Sequence, residues 1–334
     1  MSRSLLQKQY DELMRSYLQS GAEDHLYSAQ QLGKWLLRHH VAPEDVVDLH
    51  LETLERHVEL PESVRISFQL LMEIMIEYGI AYREHLFLRN KQQQLESEIE
   101  LAVAMQHSLL PASIPHPAAL DVGVISVPSK KMSGDYYNVF PLEGQLLGIA
   151  IADIVGKGIP AALSMSMIKY AMDGLAACAR EPAEMLRQLN GVVVRNIDPS
   201  MFITMAYGAY DIKTHTFRYA VAGHEPGFWY RAADNQLRDL PGSGLALGLK
   251  RDTTYEECTL RLNQGDLIIL LTDGVTERKI GKHYLGREEL HAYLMELISL
   301  PCQEMVDGLY RKLLNLSNHE LPDDHTMIAI RRKI

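Results

Sequence analysis

The sequence predicts an α+β protein in three parts: an N-terminal helical bundle, a helical linker and a C-terminal domain of layered strands and helices. Three observations predict it. Apolar residues recur at helical spacing in the N-terminal part; a stretch without proline or glycine runs from about Tyr82 to Leu110; and from about Leu120 short β-rich runs flank longer helical patterns. The boundaries drawn from these observations are residues 1–84 for a regulatory or dimerisation domain, 85–112 for the linker and 113–334 for the layered domain.

In the first part, Leu5, Leu6, Tyr10, Leu13 and Tyr17 recur at helical intervals, as do Leu26, Ala29, Leu32, Trp35 and Leu36. Pro43 and Pro61 suit first helical turns, where the missing N–H costs nothing. From Pro61 to about Arg83, residues Phe68, Leu71, Met72, Met75 and Ile76 make a helix apolar around much of its circumference. Two arrangements satisfy that pattern: the central helix of a small bundle, or one that also offers a homodimer face. The next stretch reads as heptads with Leu88, Leu95, Ala102 and Leu109 at d, and His85, Gln92, Ile99 and Gln106 at a. Every d residue is apolar and three of the four a residues are polar, so a parallel seam here is marginal. The stretch is either a conditional coiled coil or an amphipathic helix packed on the following domain. Pro111, Pro115 and Pro117 end it.

In the third part, strands are expected at Leu146–Ala152, Phe202–Tyr210, Thr216–Ala222, Phe228–Tyr230, Leu267–Leu271 and Thr326–Ile330. Asp211 to His215 and Ala233 to Asn235 read as hairpin turns. Helices are expected over Ile159–Ala177, Pro182–Asn196, Arg287–Ile298 and Cys302–Leu316. Strand pairs without strict βαβ alternation argue against a doubly wound sheet.

Composition narrows the function. The 334 residues include 33 Lys+Arg and 43 Asp+Glu, a net charge of −10, which disfavours nucleic-acid binding and a metal nuclease. Hydrophobic residues make up 47%, ordinary for a globular chain. No apolar run is long enough to span a membrane, and Lys8, Asp11 and Glu12 interrupt any signal-peptide core. The three cysteines, Cys178, Cys258 and Cys302, form no Cys-x-x-Cys pair, so a reducing cytoplasm is expected.

The chemistry is expected where carboxylates follow strands beside glycine: Gly134-Asp135, Asp153-Ile154-Val155-Gly156-Lys157-Gly158, Thr272-Asp273-Gly274 and Asp323-Asp324-His325-Thr326. One Asp-Gly pair is ordinarily a turn. Several carboxylates converging need a cation, and hard oxygen donors suit Mg²⁺ or Mn²⁺. Lys157 does not begin a phosphate loop, because Gly158 stands where a Ser or Thr is required.

With Ala222-Gly223-His224-Glu225-Pro226 between the second and third motifs, the order of these segments resembles the metal-dependent protein serine/threonine phosphatases, in their bacterial sporulation and stress-response branch. The resemblance spans about Leu101 to Ile334. It implies an αββα sandwich holding two Mn²⁺ or Mg²⁺ ions and a substrate that is a phosphorylated STAS-domain anti-anti-sigma factor. It implies Asp153 as the ligand shared by both ions, Asp135 and the Ile154 carbonyl on one ion, and Asp273 and Asp323 on the other, with Asp324 a ligand or a support behind one. Asp153, Asp135 and Asp273 are the catalytic set. Some relatives carry a histidine general acid two residues after the shared aspartate; here that residue is Val155, leaving water, or His224 by composition. Lys130 or Lys131 could hold phosphate, or simply be solvated.

The resemblance also implies activation by a kinase-like switch protein at the N-terminal domain of a homodimer. On that basis the activator strengthens linker pairing, the linker presses on the helix from Ile159, and apolar residues at Gln92 and Gln106 raise partner-free activity. Met165, Met167 and Met172 on that helix are either core or part of a repacking switch. A catalytically silent docking module of the same fold is the alternative.

Overall fold

The computed structural model describes residues 3–156, 158–198, 200–280 and 283–333. Two compact units divide the chain, residues 1–97 and 98–334.

The first unit is helical: α1 (Arg3–Ser20), α2 (Glu23–Arg38), α3 (Pro43–His57) and the first part of α4 (Glu62–His107). Pro43 opens α3, with Glu44 and Asp45 in the first turn and Arg56 and His57 in the last, each sign placed to oppose the helix dipole. Its core is thin. Among its described apolar side chains only Met14, Leu36 and Leu49 are fully buried. Polar contacts supplement them: the Tyr10 hydroxyl meets His50 Nδ1 at 2.8 Å, and His57 Nε2 meets Asp11 at 3.0 Å. In contrast, Ile66, Leu70, Ile74 and Tyr78 run along α4 at one-turn intervals and are all exposed. The sequence reading breaks this region into a bundle helix followed by a linker; a single helix of 46 residues covers both. No proline interrupts it, and its one glycine, Gly79, lies against Glu44, where a Cβ would come within 1.9 Å of the carboxylate.

The second unit is an αββα sandwich. One five-stranded antiparallel sheet has the order β1 (Leu120–Val127), β12 (His325–Arg332), β9 (Leu267–Leu271), β6 (Phe228–Arg231), β7 (Gln236–Asp239). The other has the order β2 (Asp135–Leu142), β3 (Leu146–Ile154), β4 (Ile203–Asp211), β5 (Thr216–Ala222), β8 (Cys258–Arg261). A two-residue hairpin, β10 (Lys279–Ile280) with β11 (His283–Tyr284), stands apart. The helices are α5 (Ile159–Gly174), α6 (Pro182–Asn196), the short α7 (Asp273–Thr276), α8 (Arg287–Leu297) and α9 (Cys302–Leu316).

Strand periodicity assigns each side chain to a layer. On β3, Leu147, Ile149 and Ile151 enter the core between the sheets, while Ala150, Ala152 and Ile154 pack under α5 and α6. On β9, Ile268 and Leu270 face the inter-sheet core, and Leu267, Ile269 and Leu271 face α8 and α9. Covered on both faces, these strands read as unbroken apolar runs. Each fully buried aliphatic side chain contributes roughly 1.5–3 kcal/mol of transfer free energy. Met165 and Met172 of α5 are buried in the helix layer and Met167 is partly so, which assigns them to packing. Ile159, Leu163 and Tyr170 leave an exposed apolar edge on the same helix.

The strand runs expected from the sequence appear in place, but the four edge strands β1, β2, β7 and β8 and the small β10–β11 hairpin were not among them; β1 and β2 show why. Both are sheet-edge strands of mixed character. Gly123 interrupts β1 because a Cβ there would strike the Cys302 backbone at 2.3 Å. Pro141 sits in β2, tolerated because an edge strand leaves one side unpaired. The cysteines are free. Among the described residues no helix is long and apolar enough to cross a membrane.

Candidate metal centre

The β2–β3 register brings the first two carboxylates together. Asp135 opens β2, Asp153 lies one residue from the end of β3, and the two are direct cross-strand partners. The ladder extends past the strand, with Ile154 N–H donating to the Gly134 carbonyl at 3.1 Å. Gly134 is needed here. A Cβ on it would lie 3.0 Å from the Ile154 carbonyl oxygen, 3.3 Å from Asp153 Oδ1 and 3.4 Å from the Gly156 carbonyl oxygen. Three oxygens thus converge on a position where a side chain would be crowded. Gly156, at φ +112°, makes the turn that aims its carbonyl there.

The opposite sheet contributes through the ends of β9 and β12. Thr272 follows β9 and is fully buried; its N–H donates to the Thr326 carbonyl at 3.1 Å and its hydroxyl to Asp135 Oδ2 at 2.8 Å. That last bond ties the two sheets together at Asp135. Asp273, the next residue, begins α7. Gly274 lies so close to the Asp324 carbonyl that a Cβ would approach it to 1.9 Å. Asp273 and Asp323 line one cavity of about 290 Å³, together with Glu277, Lys279 and Tyr284. Arg278 is fully buried and donates to the Glu320 carbonyl at 3.0 Å, holding the segment that leads to Asp323.

Asp323 and Asp324, adjacent in sequence, differ in surroundings. Asp324 is buried, and its two oxygens accept the Ser129 N–H at 2.7 Å and the Gly134 N–H at 2.5 Å. Its carboxylate braces the loop before Asp135. Asp323 faces the cavity.

Electrostatically, the Asp135 carboxyl is pushed well above the ordinary carboxylate range. Burial is the main cause; the nearby charges of Asp153 and Asp324 add to it, against hydrogen bonds from Thr326 and Thr272. A cation beside it would favour its charged form. Among the described residues no three Asp, Glu, His or Cys side chains gather closely enough to hold an ion by themselves. The donors fit a hard divalent ion nonetheless, because backbone carbonyls join the carboxylates in the Gly134 cradle.

The other expected groups fall outside this chemistry. His224 follows the end of β5, is buried, and bonds Thr204 through Nδ1 at 2.9 Å. Burial pushes it down to about 4, so it is neutral at pH 7 and carries no proton to donate as an imidazolium. Lys130 and Lys131 are exposed. Lys157 lies outside the described residues. Gln106 is buried and bonded to Ser133, which fits the alternative of a helix packed on the following domain. Sequence reasoning missed the roles of Thr272 and Ser133, because polar residues beside an Asp-Gly turn look like ordinary turn chemistry, and it left Asp324 open between ligand and support.

Comparison with known proteins follows this geometry. The stage II sporulation protein E (SpoIIE) family matches residues 143–333, and the N-terminal domain of phosphoserine phosphatase RsbU matches residues 8–81. The chain is 45% identical over 333 residues to phosphoserine phosphatase RsbU of Bacillus subtilis, covering 99% of each chain. Among solved structures, the SiaA-PP2C domain of Pseudomonas aeruginosa aligns with a TM-score of 0.63 at 20% identity, over 72% of this chain and 98% of that one. The RsbU and RsbW domains of Rv1364c from Mycobacterium tuberculosis align with a TM-score of 0.60 at 25% identity, over 67% of this chain and 63% of that one. With nearly its whole length aligned to RsbU and more than half of it matched by SpoIIE, the chain belongs to the SpoIIE family of metal-dependent protein serine/threonine phosphatases, in the RsbU branch.

Proposed function

We propose that this phosphatase dephosphorylates a STAS-domain anti-anti-sigma factor of the RsbV kind, using two Mn²⁺ or Mg²⁺ ions, and that an RsbT-like kinase-fold protein activates it through the N-terminal helices. The observation that carries the metal reading is the Gly134 cradle, where oxygens of Asp153, Ile154 and Gly156 converge beside the crowded Asp135 carboxyl. In this reading Asp135, Asp153 and the Ile154 carbonyl would hold one ion, and Asp153, Asp273 and Asp323 the other. Asp324 supports the loop, since its oxygens are taken by Ser129 and Gly134.

The ions, when bound, supply Lewis acidity and an activated water for phosphoryl transfer. The chain's own part is positional. Thr272 orients Asp135, and Asp324 and Gly134 set the approach of β2 to the loop after β3. No buried imidazolium is available as general acid, because His224 is neutral and residue 155 is valine. With those two set aside, this reading assigns the proton for the leaving serine or threonine oxygen to water. No reactive cysteine is required.

The row of exposed apolar residues on α4 supports self-association, since a monomer would leave that face in water. The same reading puts the homodimer in the cytoplasm. A catalytically silent docking module is disfavoured, because the four carboxylates Asp135, Asp153, Asp273 and Asp323 are all retained.

The test is phosphate release from a phosphorylated STAS-domain protein. Release is expected with Mn²⁺, is abolished by chelation and by Asp153→Ala, and rises when the kinase-fold partner is added. Equal release with and without Mn²⁺ would contradict the metal reading. Release from unrelated phosphoproteins at the same rate would contradict the substrate reading.

A further inference from the structure

We infer that Gln106, in the last turn of α4, is a positioning residue for the metal-binding loop. Its carboxamide engages both backbone polar groups of Ser133, one in each of the two peptide groups that flank its Cα. Nε2 donates to the Ser133 carbonyl at 2.6 Å, and Oε1 accepts the Ser133 N–H at 3.0 Å. Gln106 is only 6% exposed, and both bonds are buried. A two-point contact of this kind fixes both peptide groups around Ser133 relative to the helix end.

What it grips leads directly to the proposed ligands. Ser133 Oγ accepts the Asp135 N–H at 3.0 Å. Gly134, the next residue, donates to Asp324 and accepts from Ile154 N–H. The segment between β1 and β2 has no ladder of its own, so side chains decide where it lies. Asp324 secures it through Ser129 and Gly134, and Gln106 secures it at Ser133. Beyond Gln106 the helix ends, and Leu109 and Leu110 pack against the core under α5 and α6. The helix end is thereby seated, and its carboxamide reaches the loop from a defined register. Turning the helix by one residue would swing the carboxamide by about 100° and release Ser133.

This inference rests on the metal assignment above and deepens it: the geometry of Asp135 depends on the register of the α4 terminus. It also reverses the effect expected of an apolar residue at Gln106. Such a residue frees two buried backbone groups beside the site and loosens the metal loop; it does not strengthen a seam.

The test is direct Mn²⁺ binding to the full-length protein by titration calorimetry, for wild type, Gln106→Met, Gln106→Asn and Asp153→Ala, with the metal-free melting temperature of each. Methionine keeps the length and loses both bonds; asparagine keeps the amide but falls one methylene short. Both are expected to weaken Mn²⁺ binding by about tenfold or more, as supports of metal ligands do. At saturating Mn²⁺ the KM for phosphoprotein should stay unchanged and kcat should recover in part. A folded Gln106 variant with wild-type Mn²⁺ affinity overturns the inference. So does a lower melting temperature with unchanged affinity, or loss of folding in both variants, since each marks a purely structural role. If Asp153→Ala also binds Mn²⁺ normally, the metal assignment itself fails; if it loses binding while Gln106→Met keeps it, only the positioning role fails.

Discussion

The two units of this chain solve the problem of burial differently. The sandwich unit closes three dense apolar clusters, one between its sheets and one under each helix layer. The helical unit buries few apolar side chains and leaves Ile66, Leu70, Ile74 and Tyr78 in solvent. A unit that satisfies its own hydrophobic surface can hold a site to fractions of an ångström. A unit that does not is suited to change partners, because covering its face supplies free energy that has not already been used in folding. On the proposed function, the contrast separates chemistry from control within one polypeptide.

The largest effect expected is on the chemistry of the sandwich unit. Asp153→Ala should lower phosphate release by about a thousandfold, or ~4 kcal/mol of transition-state stabilisation. The metal-free variant should melt no lower than wild type, because Asp153 contributes repulsion to Asp135. A parallel fall in melting temperature would make Asp153 a structural residue. Next, Leu309→Ala in α9, whose side chain is fully buried, should cost about 2–5 kcal/mol in urea unfolding. A cost under about 1 kcal/mol would mean that the helix layer is looser than its burial implies.

Protonation provides a smaller test. The folded His224 titrates near 4, below the ordinary value of about 6.5. Between these values the unfolded chain binds a proton that the folded chain does not. The His224 contribution is therefore complete above about pH 6.5 and is lost as pH falls towards 4, by roughly 2–3 kcal/mol. Unfolding measured at pH 7.5 and pH 5 should lose part of this slope in His224→Gln; an unchanged slope would remove His224 from the account. The smallest effect on the folded monomer is expected in the helical unit. Ile74→Glu should change monomer stability by no more than about 0.5 kcal/mol. It should shift sedimentation from dimer to monomer, and an unshifted dimer would remove α4 from the interface.

Sequence periodicity made the sandwich legible where strands are buried on both faces, as at Leu146–Ile154 and Leu267–Leu271. It failed at the four edge strands: β1 and β2 carry Gly123 or Pro141, and β7 and β8 are only four residues long, so none gives a clear run. At the site, Asp-Gly motifs after strands pointed to the carboxylates. They did not reveal which adjacent aspartate braces and which faces the cavity, since that depends on backbone amides at Ser129 and Gly134 nearly two hundred positions away. Gln106 stayed ambiguous for a related reason. A polar residue at a heptad position looks the same in sequence whether it meets another helix or a distant peptide.

The central claim is tested most directly by locating Mn²⁺ from its anomalous scattering in crystals of the full-length protein grown with the ion. The account expects one ion among Asp135, Asp153 and the Ile154 carbonyl, and a second among Asp153, Asp273 and Asp323, both lost in Asp153→Ala. Ions bound away from Asp153, or an undiminished signal in the variant, would contradict it.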